Sequence, residues 1–290
     1  MTDVLDELGL PPLPEPLPAR VIDSHTHLGS TTAYSGLSVR DSLALAAQVG
    51  IDRLVDIGFD VSSSEQAVGV AGECPNVVAA VALHPNDAAR IAAKHGRAAV
   101  DDALARIGAL VDRPGVRAVG ETGLDYYRTR DEAGQALQAE CFLVHIEWAI
   151  RHDKTLVIHD RDAHDDVLRT LDMGMLPDRV VMHCFSGDAD FALECLARDA
   201  WLSFPGVVTY KNAPELREAL HVTPLDKLLV ETDAPYLTPV PARGRANAPY
   251  LLPHTVRFIA AELDMEVGEL CRALTANTVA AFGGEWGSDG

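Results

Sequence analysis

Apolar and polar residues follow one another along this chain in two repeating patterns. After residue 20, short β-branched runs alternate with longer segments in which apolar residues recur at helical spacing. The clearest helix covers 132–152, since apolar residues from Leu137 to Trp148 share one face and Asp131 is placed to cap the first turn. The short runs predict eight strands, near residues 20–25, 53–58, 77–83, 116–121, 155–159, 179–183, 201–204 and 228–232.

Strands that alternate with helices indicate an α/β fold with a parallel sheet buried on both faces. Eight such units predict a (β/α)8 TIM barrel, which helical patterns near 250–263 and 267–282 would close. An open doubly wound sheet is the alternative, but candidate ligand residues follow strands along the whole chain, which favours the barrel. Five prolines predict that residues 11–19 are extended. They belong to a Pro-rich N-terminal arm over 1–19, which is followed by a single metal-dependent hydrolase barrel domain over 20–290.

The charge of the chain restricts its partners. Lysine and arginine number 24 against 43 aspartate and glutamate, so the formal net charge is −19 and the average surface repels polyanions. A nucleic-acid partner therefore requires a local basic patch, for which Arg243, Arg245 and Lys211 are candidates. An ordinary solvated loop is the alternative interpretation of these three charges.

Cysteine use and hydropathy predict a cytoplasmic protein. The five cysteines are scattered, form no C-x-x-C pair and are expected to be reduced thiols. No basic leader opens the sequence, and no window approaches about eighteen uninterrupted apolar residues. Secretion and membrane insertion are therefore not expected, and a monomer is favoured.

Six side chains of the types that bind metal ions follow predicted strands. Two of them, His25 and His27, are two residues apart, so a strand directs both imidazoles to the same side. Because the carboxyl ends of barrel strands meet at one face, all six side chains are expected to converge there. The six are His25, His27, Glu121, His159, His183 and Asp233.

These side chains fit a site for two divalent cations. Glu121 can bridge the ions with its two oxygens, and the others divide into His25, His27 and Asp233 on one ion and His159 and His183 on the other. Imidazole with carboxylate suits zinc, and also manganese or magnesium where water completes the coordination. Two such ions would form a hydroxide that attacks a phosphodiester, with Asp233 as proton acceptor. The predicted catalytic residues are therefore Asp233 and Glu121.

Three further residues are candidates for roles around this site, and two of them have an alternative interpretation. Asp23 can orient a histidine ring or lie in solvent as a loop carboxylate. Arg161 can contact an anionic substrate oxygen or pair with a neighbouring carboxylate, that of Asp162, Asp165 or Asp166. His84, which follows the third predicted strand, can hydrogen-bond substrate.

Several segments, taken in order, resemble the TatD family of metal-dependent deoxyribonucleases. They are IDSHTHL, LHP, GETGLDY, VIHDRDA, HCFSG, ETDAPYLTP, the RGRANAP segment and a late Asn277 before AAF. The resemblance implies an amidohydrolase-like barrel that cleaves DNA from the 3′ end, with RNA as an open alternative and single-stranded ends as the expected substrate. It also implies metal ligands at the six positions above and substrate-binding contacts at Arg161, His84 and Asn247.

Two positions depart from the family pattern. The long helix of the family often carries Q-x-x-x-F-x-x-Q, whereas Gln138 and Phe142 are here followed by His145. This difference is expected to affect helix packing and not the ligands. Pro205 stands where the family usually has serine, and it is expected to alter the rim of the barrel and the fit of substrate.

Three hypotheses about function follow. The leading one is a cytoplasmic metal-dependent hydrolase that acts as a 3′–5′ exodeoxyribonuclease. The second keeps the metal ions but replaces the substrate by a small ester, lactone or amide, which suits an acidic surface better. The third is a non-enzymatic binding scaffold, which has no need for six intact ligand positions.

Overall fold

Eight parallel strands pair in chain order in this computed structural model, which describes residues 2–284, 286 and 287. All eight predicted strands are present, and the (β/α)8 barrel is confirmed. The strands are β1 Val21–Thr26, β2 Ile51–Ile57, β3 Val77–Val81, β4 Val116–Asp125, β5 Thr155–Arg161, β6 Val180–Met182, β7 Trp201–Phe204 and β8 Leu228–Val230.

Helices cover the outside of the barrel. They are α1 Thr2–Glu7, α2 Leu28–Ser35, α3 Val39–Gln48, α4 Val61–Glu73, α5 Pro85–His95, α6 Arg97–Gly108, α7 Glu132–Arg151, α8 His164–Leu171, α9 Ala189–Ala197, α10 Pro214–Val222, α11 Leu252–Glu262 and α12 Val267–Ala281, with short 3-10 turns at Gly206–Thr209, Leu225–Lys227 and Pro249–Leu251. The predicted cap of α7 is confirmed, because the Asp131 carboxylate accepts a hydrogen bond of 2.8 Å from Gly134 N.

Apolar side chains fill the lower end of the barrel, where the strands begin. Ile22, Val78 and Leu229 belong to one buried cluster inside the sheet, and Phe282 and Trp286 pack against it from below. A separate and larger apolar cluster lies between the strands and the surrounding helices. The barrel is therefore closed at its lower end and can only be open at the upper end.

Strand periodicity carries polar groups to the upper end of the same interior. Side chains alternate along a strand, so the residue two positions after an inward-facing one also faces inward. Val157 and Val181 belong to the lower cluster, and each is followed two residues later by a histidine, His159 and His183.

The first and last strands meet through the buried side chain of Asp23. Its carboxylate accepts hydrogen bonds from Thr232 N at 3.0 Å and from Thr232 Oγ1 at 2.5 Å. Just beyond, Asp233 N donates to His25 O at 2.9 Å, which extends the contact between these strands. Both interpretations of Asp23 from the sequence are wrong, since it neither orients a histidine ring nor lies in solvent.

Residues 2–19 pack against the barrel as α1 followed by an extended segment. Leu5, Leu10 and Leu17 are buried. Backbone carbonyls of this arm accept hydrogen bonds from three side chains of the C-terminal region: Gly9 from Arg245, Pro11 from Tyr250 and Pro16 from Arg257. The division into an arm and a single domain remains a prediction, and residues 285 and 288–290 of that predicted domain lie outside the described residues.

Among the described residues, no helix contains an apolar stretch long enough to span a bilayer. The predicted cytoplasmic location is not tested by this result and remains a prediction.

Candidate metal centre

Two histidines from β1 and an aspartate that follows β8 bring three ligand-type atoms together. His25 Nε2 lies 3.4 Å from His27 Nε2 and 3.6 Å from Asp233 Oδ1, and the His27 and Asp233 atoms are 3.4 Å apart. All three side chains are buried. A tetrahedral ion with bonds of about 2.0–2.1 Å needs ligand atoms about 3.4 Å apart, so this triangle has the size of a metal site.

Glu121 lies between this triangle and a second pair of histidines. Its Oε2 is 3.7 Å from Nε2 of both His25 and His27, whereas its Oε1 is 2.7 Å from His159 Nδ1 and 2.7 Å from His183 Nε2. The two nitrogens of the second pair are 3.5 Å apart. A single carboxylate thus presents a different oxygen to each group of imidazoles, as a bridging ligand does.

The approach of β4 to β5 at this level depends on a glycine. β4 continues to Asp125, four residues past its predicted end. Within it, Gly123 has a φ of 132°, and a Cβ atom there would lie 2.1 Å from the carbonyl oxygen of His159. Glycine therefore lets the two strands lie close enough for Glu121 to meet His159.

The electrostatics of the cluster favour bound positive charge. Burial alone would raise the pKa of Glu121, but charge on His183 and His84 and hydrogen bonds with His159 and His183 hold it well below its usual value. For the same reason the pKa of Asp233 is lowered by His27 and His25 despite burial. Imidazole nitrogens and ionised carboxylate oxygens close together form a donor set that fits divalent metal ions.

Comparison with known proteins identifies the family. The sequence model of the family described as TatD related DNase matches residues 22–283. The chain belongs to the TatD family of metal-dependent hydrolases. It is 42% identical over 269 residues to the "Uncharacterized metal-dependent hydrolase TatD" of Mycobacterium tuberculosis, covering 92% of this chain and 99% of that protein. It is 36% identical over 265 residues to YcfH of Escherichia coli K12, covering 90% and 95% respectively.

Solved structures of other proteins share the same barrel. The crystal structure of YJJV, a TatD homolog from Escherichia coli K12, superposes with a TM-score of 0.80 at 27% identity, covering 91% of this chain and 98% of that one. An uncharacterized amidohydrolase from Saccharomyces cerevisiae gives a TM-score of 0.77 at 16% identity, covering 92% and 100%. The amidohydrolase-like fold expected from the sequence is confirmed.

Carboxylates behind two histidines fix the ring orientations in this TatD-family chain. Glu231 is fully buried, and its Oε1 lies 3.2 Å from His183 Nδ1 and accepts a 2.7 Å hydrogen bond from Cys184 N. Asp125 Oδ2 lies 3.3 Å from His159 Nε2. Such contacts hold the opposite ring nitrogen toward a metal site.

His84 and Arg161 both line a cavity of about 510 Å³ above the cluster. His84 Nδ1 accepts a hydrogen bond from Asn86 N, so Nε2 carries the proton and points to Glu121 Oε1 at 3.3 Å. The Arg161 guanidinium lies 4.4 Å from the ring centre of Tyr127. Within the described chain, it makes no ion pair with any of the three nearby aspartates.

Asn247 does not lie where a substrate contact was predicted. Its side chain is fully buried, and its amide nitrogen donates to Thr232 O at 2.8 Å and to Tyr236 O at 2.6 Å. Its amide oxygen accepts from Ala248 N at 3.0 Å. With its polar atoms used in this way, Asn247 holds the loop after Asp233, and it does not line the cavity.

His145 supports the site from behind, which the sequence did not predict in detail. It is fully buried, and its Nε2 accepts a 3.1 Å hydrogen bond from Leu83 N while Nδ1 lies 2.7 Å from Cys141 O and 3.0 Å from Thr122 Oγ1. It thus connects α7 with the residues before His84 and after Glu121. The signal was the histidine in place of the family's glutamine, which had been assigned to packing.

Pro205 lines a second cavity, of about 360 Å³, beside the first. Cys184 belongs to the walls of both cavities. The predicted effect of Pro205 on the rim therefore concerns this neighbouring space, and its effect on substrate fit remains a prediction.

Proposed function

We propose that this protein is a metal-dependent phosphodiesterase that removes nucleotides from the 3′ end of single-stranded DNA. The position of Glu121 carries the proposal, because its two oxygens face two separate groups of imidazoles. Two cations a few ångström apart, bridged by one carboxylate, form an arrangement suited to phosphoryl transfer. RNA ends remain a second substrate class to be tested.

The proposed ligands divide as the distances do. One ion would be held by His25, His27, Glu121 and Asp233, and the other by Glu121, His159 and His183. The native ions can be zinc, magnesium or manganese, since imidazole and carboxylate together accept all three. When bound, such ions activate water and neutralise charge on the phosphoryl group.

The side chains of the protein have separate tasks in this proposal. Asp233 faces the cavity and stays ionised because of the neighbouring imidazoles, so it can accept the proton released by the attacking water. Arg161 and His84 carry N–H donors on the cavity wall, where they can bind the oxygens of the phosphate. Cleavage thus needs the ligands and these donors in one cavity.

A metal series on labelled oligonucleotides tests the proposal. Metal-stripped protein would be reconstituted with Zn²⁺, Mg²⁺ or Mn²⁺ and incubated with single-stranded DNA, duplex DNA and RNA that carry a 5′ label. We expect a ladder shortened one nucleotide at a time from the 3′ end, faster on single strands, and no cleavage without added metal. Release of the labelled 5′ nucleotide first would overturn the polarity.

A matched pair of variants distinguishes the proposed ligand histidines from a histidine elsewhere in the protein. Replacing His183 by alanine is expected to reduce both the bound metal and the cleavage rate, because this nitrogen contacts the bridging oxygen. His95→Ala removes an exposed imidazole on α5 and is expected to leave both unchanged. Equal metal content in the two variants would contradict the assigned ligands.

The net charge of −19 favours a second candidate, hydrolysis of a small ester, lactone or amide. The cavity of about 510 Å³ is large enough for such a molecule. Lactones and aryl esters tested beside the oligonucleotides would distinguish the two. Rapid hydrolysis of a lactone with no cleavage of any oligonucleotide would favour this second function.

A further inference from the structure

Three arginines beside the cavity differ from most others in the protein. Many surface arginines pair with carboxylates, as Arg97 does with Asp101 and Glu140. In the part of the chain that the structure describes, Arg128, Arg130 and Arg161 have no such partner, although acidic residues number 43 in the sequence. Their charge is therefore available to an external anion.

These arginines lie together at one side of the cavity mouth. Arg128 and Arg161 line the cavity, and the described residues that line it include no other lysine or arginine. Arg130 follows on the loop between β4 and α7, and its Nε donates to Tyr127 O at 3.3 Å. Cationic side chains thus extend from the cavity outward along one loop, which we call the arginine strip: Arg128, Arg130 and Arg161 with Tyr127.

An aromatic ring lies within the strip. Tyr127 is 45% exposed, and the guanidinium carbons of Arg161 and Arg130 are 4.4 Å and 6.0 Å from its ring centre. These contacts hold an exposed ring in place through cation–π attraction. Guanidinium groups that alternate with an exposed aromatic ring are typical of surfaces that bind single-stranded nucleic acid.

The patch expected from the sequence lies apart from the cavity, since Lys211, Arg243 and Arg245 are not among the described residues that line it. Arg245 donates to Gly9 O at 2.6 Å and is held by the N-terminal arm. The guanidinium of Arg243 lies over the ring of Tyr210, at 4.0 Å from its centre, and does not line the cavity. Among the described residues, the two arginines that line the cavity of the metal centre, Arg128 and Arg161, both belong to the arginine strip.

We propose that the arginine strip binds the single strand that adjoins the cleaved nucleotide, with the guanidiniums on phosphates and Tyr127 stacked against a base. This inference rests on the proposed function for the identity of the substrate. A duplex keeps its bases stacked inside and would lose the contact with Tyr127, so the strip favours single strands. It also gives an acidic protein the local positive charge that a polyanion requires.

Binding and cleavage measurements with oligonucleotides test the strip. The binding probes are a fluorescent twelve-nucleotide single strand and the matching duplex, both with phosphorothioate linkages. The cleavage substrates are unmodified strands of two and twelve nucleotides. Arg128→Ala/Arg130→Ala is expected to weaken binding of the twelve-nucleotide strand about tenfold or more and to reduce the slope of log Kd against log salt by about 1.4. Tyr127→Ala is expected to weaken single-strand binding about tenfold with little change in that slope.

Cleavage kinetics provide a second readout. In Arg128→Ala/Arg130→Ala, the kcat/KM for twelve nucleotides is expected to fall relative to that for two, mainly through KM, since only the longer strand reaches Arg130. Arg113→Ala/Arg272→Ala removes two exposed arginines away from the strip, from the turn before β4 and from α12, and is expected to keep the wild-type ratio. Arg130→Lys retains the charge and should recover part of the binding.

The outcomes distinguish the strip from the proposed function. Wild-type affinity and salt slope in the double variant would overturn the strip, even if the enzyme cleaves DNA. Equal loss of single-strand and duplex binding in Tyr127→Ala would overturn the stacking contact. If the wild type cleaves no oligonucleotide, the proposed function fails, and the phosphorothioate binding data alone then decide whether the strip binds nucleic acid.

Discussion

The two ends of the barrel interior are built from the same strands but have opposite chemistry. At the lower end, Val78 and Leu229 pack with Phe282 in a buried apolar cluster. At the upper end, Glu121 and His183 are also buried, but they are ionisable groups. Apolar burial stabilises the fold, whereas buried charges cost free energy unless they are paired or bind a metal. The lower end thus stabilises the barrel, whereas the upper end holds the ionisable groups of the candidate metal centre.

The largest expected effect is a loss of activity when acidic residues at the upper end are replaced. Asp233→Asn and Glu121→Ala are each expected to lower kcat by at least about 10³-fold, because one removes the proton acceptor and the other the bridge. The metal-free variants should be less stable than the wild type, because the imidazoles around Glu121 and Asp233 lose the carboxylate that pairs with them. Activity assays and urea unfolding would measure both, with His95→Ala as control. Near wild-type, metal-dependent cleavage in both variants would defeat the assignment.

A cavity at the lower end should have the opposite consequence. Phe282 is fully buried, so Phe282→Ala is expected to reduce the free energy of unfolding by about 3–5 kcal/mol. Its kcat at a temperature where the protein remains folded should stay close to that of the wild type. Phe282→Leu should lose much less stability, since most of the volume is kept. A large fall in kcat at unchanged stability would show that the ends are not separate.

Removing the metal ions should lower the local stability of the upper end alone. At a metal concentration of about 100 times Kd, binding stabilises the folded state by about 2.7 kcal/mol, and this is lost on chelation. Hydrogen exchange should then accelerate at the amides of His27 and Asp233 but not in the lower strands around Val78. Uniform acceleration over the whole barrel would contradict a local role of the ions.

The smallest of these effects concerns pH and a histidine behind the upper end. Burial lowers the pKa of His145 to about 4, so between about pH 6.5 and 4 the unfolded chain binds more protons than the folded one. Stability contributed by neutral His145 is therefore lost as the pH falls, by about 2 kcal/mol between pH 7 and pH 5.

His145→Gln tests this expectation, because the glutamine oxygen can still accept a hydrogen bond from Leu83 N but has no proton to gain. The variant should show a shallower loss of stability in that range of pH, measured by urea unfolding. His221→Gln, at an exposed position of α10, is the matched control and should follow the wild type. Identical pH dependence in wild type and His145→Gln would contradict the buried neutral ring.

The sequence was sufficient for features that depend on neighbours along the chain. Strand positions and the meeting of six ligand-type residues followed from periodicity and from residues such as His159 at strand ends. Contacts between distant segments could not be predicted. Glu231 supports His183 across 48 residues, and the peptide of Leu83 meets His145 across 62. The resemblance predicted a substrate contact for Asn247, but its side-chain amide makes hydrogen bonds with backbone atoms of Thr232, Tyr236 and Ala248.

The link between Asp23 and Thr232 has a kinetic consequence. It joins residues 209 positions apart, and contacts between such distant segments form late because a long loop must first be closed. An interaction absent from the folding transition state affects unfolding and not folding. Thr232→Val should therefore speed unfolding while refolding keeps its rate, so that this pair of side chains contributes to the lifetime of the native barrel.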